Sequence, residues 1–218
     1  MPFGYPVMLE VRGRRTVVIG AEAVQAGKVE GLLAAGADDV LVVADGPASR
    51  LDELEPIDGV TVERRAWKAD DLNGAALCIA ASADPGERAA IAREARCRRA
   101  IVNVMDDVPN CDWSAPAVVR RGELVLAIAT GGASPALAKQ LREQLSTEFG
   151  EEWASVIDVV RTVRADTNRS LVSLAERARR WGTALDLDEA VRLVREGRAD
   201  DLAARLRARL TSEETTNR

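Results

Sequence analysis

Two adjacent carboxylates, Asp106 and Asp107, close the run Ile101-Val102-Asn103-Val104-Met105 and precede Val108-Pro109-Asn110. The run reads as a buried, central β-strand, and the carboxylates as the polar turn at its carboxyl end. In an open parallel sheet, ligands and reacting groups meet at that end. A carboxylate there can take or return a proton. Neighbouring strand residues point to opposite faces, so one of the pair is expected to face the cleft. The competing use is a cap on the Val108-Pro109 turn. Histidine is absent, which removes imidazole acid–base chemistry and His–zinc sites. Cys78, Cys97 and Cys111 are too widely spaced for a zinc knuckle, so no metal site is expected and reduced thiols are.

A second stretch could hold a nucleotide. Thr16-Val17-Val18-Ile19 ends at Gly20 and continues Ala21-Glu22-Ala23-Val24-Gln25. A dinucleotide turn uses glycines for the bend, for close approach to pyrophosphate and for helix–sheet packing. Only the first is present, and Gly27 falls two positions too late for the third. The stretch is therefore either a defective dinucleotide turn or an ordinary βα junction. Asp45 follows the next apolar run, where a carboxylate commonly binds a ribose; an exposed turn aspartate reads equally well.

The elements that position these residues alternate. Residues 7–11 form a short apolar run; strands are expected at 16–19, 39–43, 60–64, 75–81 and 101–104. A helix over 23–35 should turn Val24, Leu32 and Ala35 inward, with short and long helices at 47–54 and 86–98. This grammar predicts an α/β fold with a Rossmann-like, doubly wound parallel sheet. After Asp112 the pattern changes. Residues 115–119 and 124–129 read as a hairpin without obvious helical cover. Thr130-Gly131-Gly132-Ala133 is a joint, and Ser134-Pro135 opens a helix with Leu137, Leu141 and Leu145 on one face. Helices carry the chain onward, through Trp153, Val156, Val160 and Val163 to Leu202, Leu206 and Leu210, with fraying expected after 211. The organisation read from this is a nucleotide-binding domain over 1–113, a small α+β dimerisation region over 114–148 and a helical C-terminal region over 149–218.

Composition narrows the function. The 218 residues carry 30 basic and 35 acidic side chains, a net charge of −5, which argues against a general nucleic-acid binder. No apolar run reaches the length of a membrane span, and the start lacks the order of a secretory signal. A cytoplasmic protein is expected.

The fragments YPVMLEVRGRRTVVIG, KVEGLLAAGA, ALCIAAS, IVNVMDD, CDWSAPAVVRRGEL and IATGGASPALAKQLR together resemble the precorrin-2 dehydrogenases of sirohaem synthesis, some of which are also ferrochelatases. The resemblance spans about residues 5–148. It implies NAD-dependent oxidation of precorrin-2 to sirohydrochlorin in a homodimer. It aligns Asp106 with the family's catalytic aspartate and Gly20, Ala21, Glu22, Ala23 and Val24 with its nucleotide turn, to which Asp45 and Ser82 are added as cofactor residues. Where the family has three consecutive glycines, this chain keeps one, and Glu22 brings bulk and negative charge. A polycarboxylate tetrapyrrole needs local cations, and Arg120, Arg121, Lys139 and Arg142 lie near the joint. Asn103, Thr130 (aligned with a family serine) and Ser134 complete the expected substrate set, Ser134 serving alternatively as a helix cap. Two other readings stay open: a noncatalytic tetrapyrrole- or nucleotide-binding homologue, for which Glu22 speaks, and a bifunctional dehydrogenase–ferrochelatase.

Overall fold

The apolar runs become a five-stranded parallel sheet in the computed structural model, which describes residues 4–25, 27–45, 51–167 and 173–211. Its strands are β1 (Thr16–Ile19), β2 (Val40–Val43), β3 (Val60–Glu63), β4 (Leu77–Ala80) and β5 (Ile101–Val104), in the order β3-β2-β1-β4-β5. β1, β2 and β4 are buried at every position, as expected for strands covered on both faces. One core cluster holds Val18, Val24, Leu32, Val42 and Ile79. The other holds Val17, Leu41, Cys78, Ile91 and Val102 on the opposite face. The order in which strands are added reverses between β1 and β4, which opens the crevice where doubly wound folds bind ligands.

The strand ending at the aspartates is an edge strand, not a central one. Its outward backbone groups are sealed by the returning chain. Val102 N–H donates to the Asp112 carboxylate at 3.0 Å, and Asp112 N–H donates to Val102 C=O at 2.7 Å. Val104 N–H donates to Cys111 Sγ at 3.2 Å, and that thiol donates back to Val104 C=O at 3.0 Å. The loop thus does what a sixth strand would do for an otherwise unpaired edge.

The single helix expected over 23–35 is two: α1 (Ala21–Gln25) and α2 (Lys28–Ala34). Gly27 lies between them at φ 70°, a left-handed conformation that glycine adopts freely and that ends a right-handed helix. Val24 and Leu32 are buried, but Ala35 is exposed because it closes α2. The short helix expected from Pro47 is α3 (Leu51–Leu54) in its described part; residues 47–50 lie outside the described residues, as do 212–218. The run at 7–11 forms no strand. Helix α4 (Pro85–Cys97) begins where Asp84 accepts from the Gly86 N–H at 2.9 Å.

The chain divides into two compact units, residues 1–115 and 116–218. In the second, β6 (Ala117–Arg121) and β7 (Leu124–Ile128) form an antiparallel hairpin through Gly122 at φ 57°. The hairpin has helical cover in cis, from α5 (Pro135–Glu148) and α6 (Glu152–Thr167). The apolar stripe of α6 packs with α7 (Leu174–Ala184), α8 (Leu187–Arg195) and α9 (Ala199–Thr211) around Val156, Val163, Leu193, Leu202, Leu206 and Leu210.

Candidate active site

A cleft of about 290 Å³ opens at the carboxyl ends of β1, β2 and β4. Gly20, Ala21, Asp45 and Ser82 line it. Gly20 is required there: at φ 98°, a Cβ would stand 2.1 Å from the Ala81 carbonyl oxygen. The bend tucks the end of β1 under that of β4, and Gly20 N–H donates to Val43 C=O at 2.9 Å. Ala23 and Val24 are in the core instead, at 0% and 1% exposure, so their contribution to the turn is packing. Of Glu22 only the backbone, within α1, is described. Asp45 is exposed at the cleft's rim.

Three cleft residues escape the sequence reading: Arg65, Trp67 and Glu87. Arg65 donates two near-parallel hydrogen bonds to Asp71, at 2.8 and 2.7 Å. With Lys68 N–H also donating to it at 2.8 Å, the buried Asp71 carboxyl is held below the usual carboxylate range, first by Arg65. Glu87, in the first turn of α4, accepts from Trp67 Nε1–H at 2.8 Å and from the Ser82 hydroxyl at 2.5 Å. The Ser82 hydroxyl therefore spends its hydrogen within the protein. A tryptophan in a charged loop and a glutamate just after Pro85 were the available signals, but only the fold brings them together.

Beyond the adjacent edge strand, Asp106 and Asp107 are treated differently. Asp106 has φ 57°, a left-handed conformation that aspartate tolerates better than most residues, and it is exposed. Asp107 points into the protein. It receives Arg88 Nε–H at 3.1 Å and Asn110 Nδ2–H at 2.9 Å. The Asn110 amide, followed by the Arg88 guanidinium, holds its carboxyl below the usual range. Arg88 also donates to Ser82 C=O at 2.8 Å, so it ties the end of β4 to the turn after β5. The backbone reversal separates the two carboxylates: one is committed to structure and the other is presented to solvent. Asn103 is committed as well, donating to Trp113 C=O at 2.9 Å, which fastens the loop along β5 rather than offering the amide to a ligand.

In the second unit the expected substrate residues divide in the same way. Arg121 donates to the carbonyls of Phe149 and Ser146 at 2.8 and 2.9 Å and to the Ser146 hydroxyl at 2.8 Å. It caps the carboxyl end of α5, where a cation meets the negative end of the helix dipole. Arg120 is exposed and has no ion pair among the described residues. Lys139 and Arg142 are exposed beside Glu143, at 3.9 and 4.0 Å. The Ser134 hydroxyl accepts from Leu137 N–H at 3.2 Å and caps α5. Thr130 donates to Ser134 C=O at 3.3 Å, and Gly131 and Gly132, both at positive φ, form the joint between them.

The thiols have no pairing role. Cys78, Cys97 and Cys111 are free, and burial pushes Cys78 up to about 12.

A doubly wound sheet, a glycine bend at the first strand and a rim carboxylate after the second define a dinucleotide-binding α/β protein. The chain belongs to the putative NAD(P)-binding family, which matches residues 7–117. It is 32% identical over 176 residues to siroheme synthase 1 of Serratia proteamaculans, covering 81% of this chain and 37% of that protein. It is 31% identical over 196 residues to siroheme synthase of Methylococcus capsulatus, covering 90% and 41%. The chain thus spans about two fifths of the length of these curated relatives. The solved structure of SirC, precorrin-2 dehydrogenase, is 25% identical and superposes with a TM-score of 0.70 over 94% of this chain and 100% of that one.

The cleft fits such a cofactor. Asp45 would take ribose hydroxyls, and the backbone at Gly20 and Ala21 would face the pyrophosphate. The anion end is the weaker one, because α1 has five residues and a short helix gathers little dipole.

Proposed function

We propose that the chain oxidises precorrin-2 to sirohydrochlorin, with NAD as hydride acceptor and Asp106 as the catalytic carboxylate. The observation that carries this reading is the exposed Asp106 carboxylate, turned out by a positive φ in the turn after β5, the strand beside β4. When bound, NAD supplies the site that takes the hydride. Asp106 accepts the proton that the macrocycle loses in the same oxidation. Asp107 and Arg88 hold the turn that presents it. Arg120, Lys139 and Arg142 supply exposed positive charge for the carboxylates of the tetrapyrrole. A second copy completes the assembly in this reading. Its support is α5, which has no buried residue and leaves Leu137 half exposed, together with Val118 on the outer face of the hairpin.

The test is anaerobic turnover of precorrin-2 with NAD⁺, comparing wild type with Asp106→Asn and Asp107→Asn. Asparagine suits the left-handed position of Asp106, so that variant removes charge with little backbone cost. Asp106→Asn is expected to lower turnover at least about tenfold, a barrier increase of roughly 1.4 kcal/mol, with the unfolding curve nearly unchanged. Asp107→Asn should have the smaller kinetic effect. Wild-type turnover in Asp106→Asn would remove Asp106 from the chemistry.

The short α1 supports a second reading, a noncatalytic homologue that binds a tetrapyrrole without oxidising it. Calorimetry with NAD⁺ separates the two. Absence of cofactor binding by wild type, with retained tetrapyrrole binding, is the result expected of the second.

A further inference from the structure

Glu87 occupies a position that neither the glycine turn nor the paired aspartates explain. Its two carboxylate oxygens are divided between two cleft residues that are distant in sequence: Oε1 takes the Trp67 indole N–H, and Oε2 takes the Ser82 hydroxyl. All three residues line the cleft. Trp67 is half-buried, with its ring packed against the core face that includes Val43, Leu72 and Ile91. The indole is therefore fixed from two sides, by apolar packing and by a charge-assisted hydrogen bond. It leaves the end of β3 and meets α4, which follows β4, so it crosses the same end of the sheet as Asp45. A fixed aromatic surface beside a ribose-binding carboxylate suits a flat heteroaromatic ring joined to that ribose.

We infer that Trp67 forms the wall against which the adenine half of the cofactor packs, and that Glu87 is the positioning residue that holds this wall. The inference rests on the dinucleotide reading of the cleft. Arg65, the cation in the same cleft, is already engaged by Asp71. The ring wall, rather than a new ion pair, is then what this side of the cleft offers a ligand.

Calorimetry with NAD⁺, ADP-ribose and nicotinamide mononucleotide tests the assignment on the full chain, with unfolding curves for every variant. Trp67→Ala and Glu87→Ala should each weaken NAD⁺ and ADP-ribose about tenfold, within the range for aromatic stacking on a base. Nicotinamide mononucleotide should be unaffected by either. The two effects should not add, because each variant removes the same wall. Glu87→Gln retains an acceptor for the indole and an amide that can meet the Ser82 oxygen, so it should recover affinity to within about threefold of wild type. Trp67→Phe should keep part of the affinity while abolishing the quenching of Trp67 emission by ADP-ribose. Folded Trp67→Ala and Glu87→Ala variants that bind ADP-ribose as wild type does would overturn the inference and leave the cofactor reading standing. Wild type that binds neither NAD⁺ nor ADP-ribose would overturn both.

Discussion

The two units bury their apolar residues in different ways. In the sheet unit, β1, β2 and β4 are apolar almost throughout and buried at every position. In the second unit, α5 carries Leu137, Leu141 and Leu145, yet none of its residues is buried. The four helices that follow do build a core, around Val156, Leu193, Leu202 and Leu206. The sheet unit is closed around its core, and the segment from the hairpin to α5 is not. The same contrast holds for polar groups. Around the cleft and beyond β5, Arg65, Glu87, Arg88 and Asp107 are bound to other side chains and to the backbone, and the carboxylates of Asp45 and Asp106 stay exposed. On the hairpin and α5, Arg120, Lys139 and Arg142 are largely available. The closed unit can hold a rigid cofactor cleft, whereas the open segment has the surface that a second chain or a large anionic ligand requires.

The largest expected effect tests how tightly the closed unit is fitted. Gly20→Ala places a methyl 2.1 Å from the Ala81 carbonyl oxygen at φ 98°. Both strand ends belong to buried strands, so neither can retreat cheaply. Backbone strain and the clash together should cost about 3 kcal/mol or more, read as a loss of denaturation midpoint. Gly27→Ala supplies the comparison. Gly27 also has positive φ, but its nearest neighbour is a carboxylate oxygen at 3.7 Å. That change should cost about 1 kcal/mol from backbone conformation alone. Equal losses at the two sites would mean that the β1–β4 approach is not specially close.

Asp71 probes the polar side of the same unit. It is buried and receives Arg65 and the Lys68 N–H. Asp71→Asn keeps the shape and removes the charge, and should cost about 1.5 kcal/mol at neutral pH. Its carboxyl is lowered in the folded protein, so the stabilisation is fully present above the unfolded pKa, about 4. It is lost as pH falls through the lower folded value. The gap between wild type and Asp71→Asn should therefore be constant from pH 7 to about 5 and shrink below about 4. A gap that widened on acidification would contradict the ion pair.

What the sequence discloses follows the same division. Continuous apolar runs bounded by turns specify β1, β2 and β4, because a strand buried on both faces has no other composition. The pattern does not distinguish an edge from a centre. β5 reads as central because Val102 and Val104 are apolar, and the residues that seal its edge, Cys111 and Asp112, look like ordinary loop. The break at Gly27 is hidden since a glycine inside a helical pattern can also be carried in the helix. Of the site, the location of Gly20 and Asp45 is legible from strand ends. The Trp67–Glu87 and Arg88–Asp107 pairs are not, because they join residues about twenty positions apart across different elements. Ser134 announces its cap through the proline after it. Arg120 and Arg121 are indistinguishable as letters, and only the pleat separates them.

That separation supplies the smallest prediction and the finest test of the contrast between committed and available charge. In the hairpin register, Arg121 pairs with Leu124 and Arg120 with Val125, and successive residues face opposite sides. Arg121 turns inward, where it satisfies carbonyls at the end of α5 that would otherwise lack partners. Arg121→Ala removes these charge-assisted bonds together with the packing of the alkyl stem, and should cost about 1 to 2 kcal/mol of stability. Arg120→Ala removes an exposed side chain without an ion pair among the described residues. It should change stability by less than about 0.5 kcal/mol. If Arg120 meets a carboxylate of the tetrapyrrole, its loss appears instead as a KM raised several-fold with kcat nearly unchanged, the signature of binding shared by ground and transition states. Denaturation curves and initial rates on the two variants distinguish the roles. A stability loss in Arg120→Ala as large as that in Arg121→Ala, or a raised KM confined to Arg121→Ala, would reverse the assignment of the two faces.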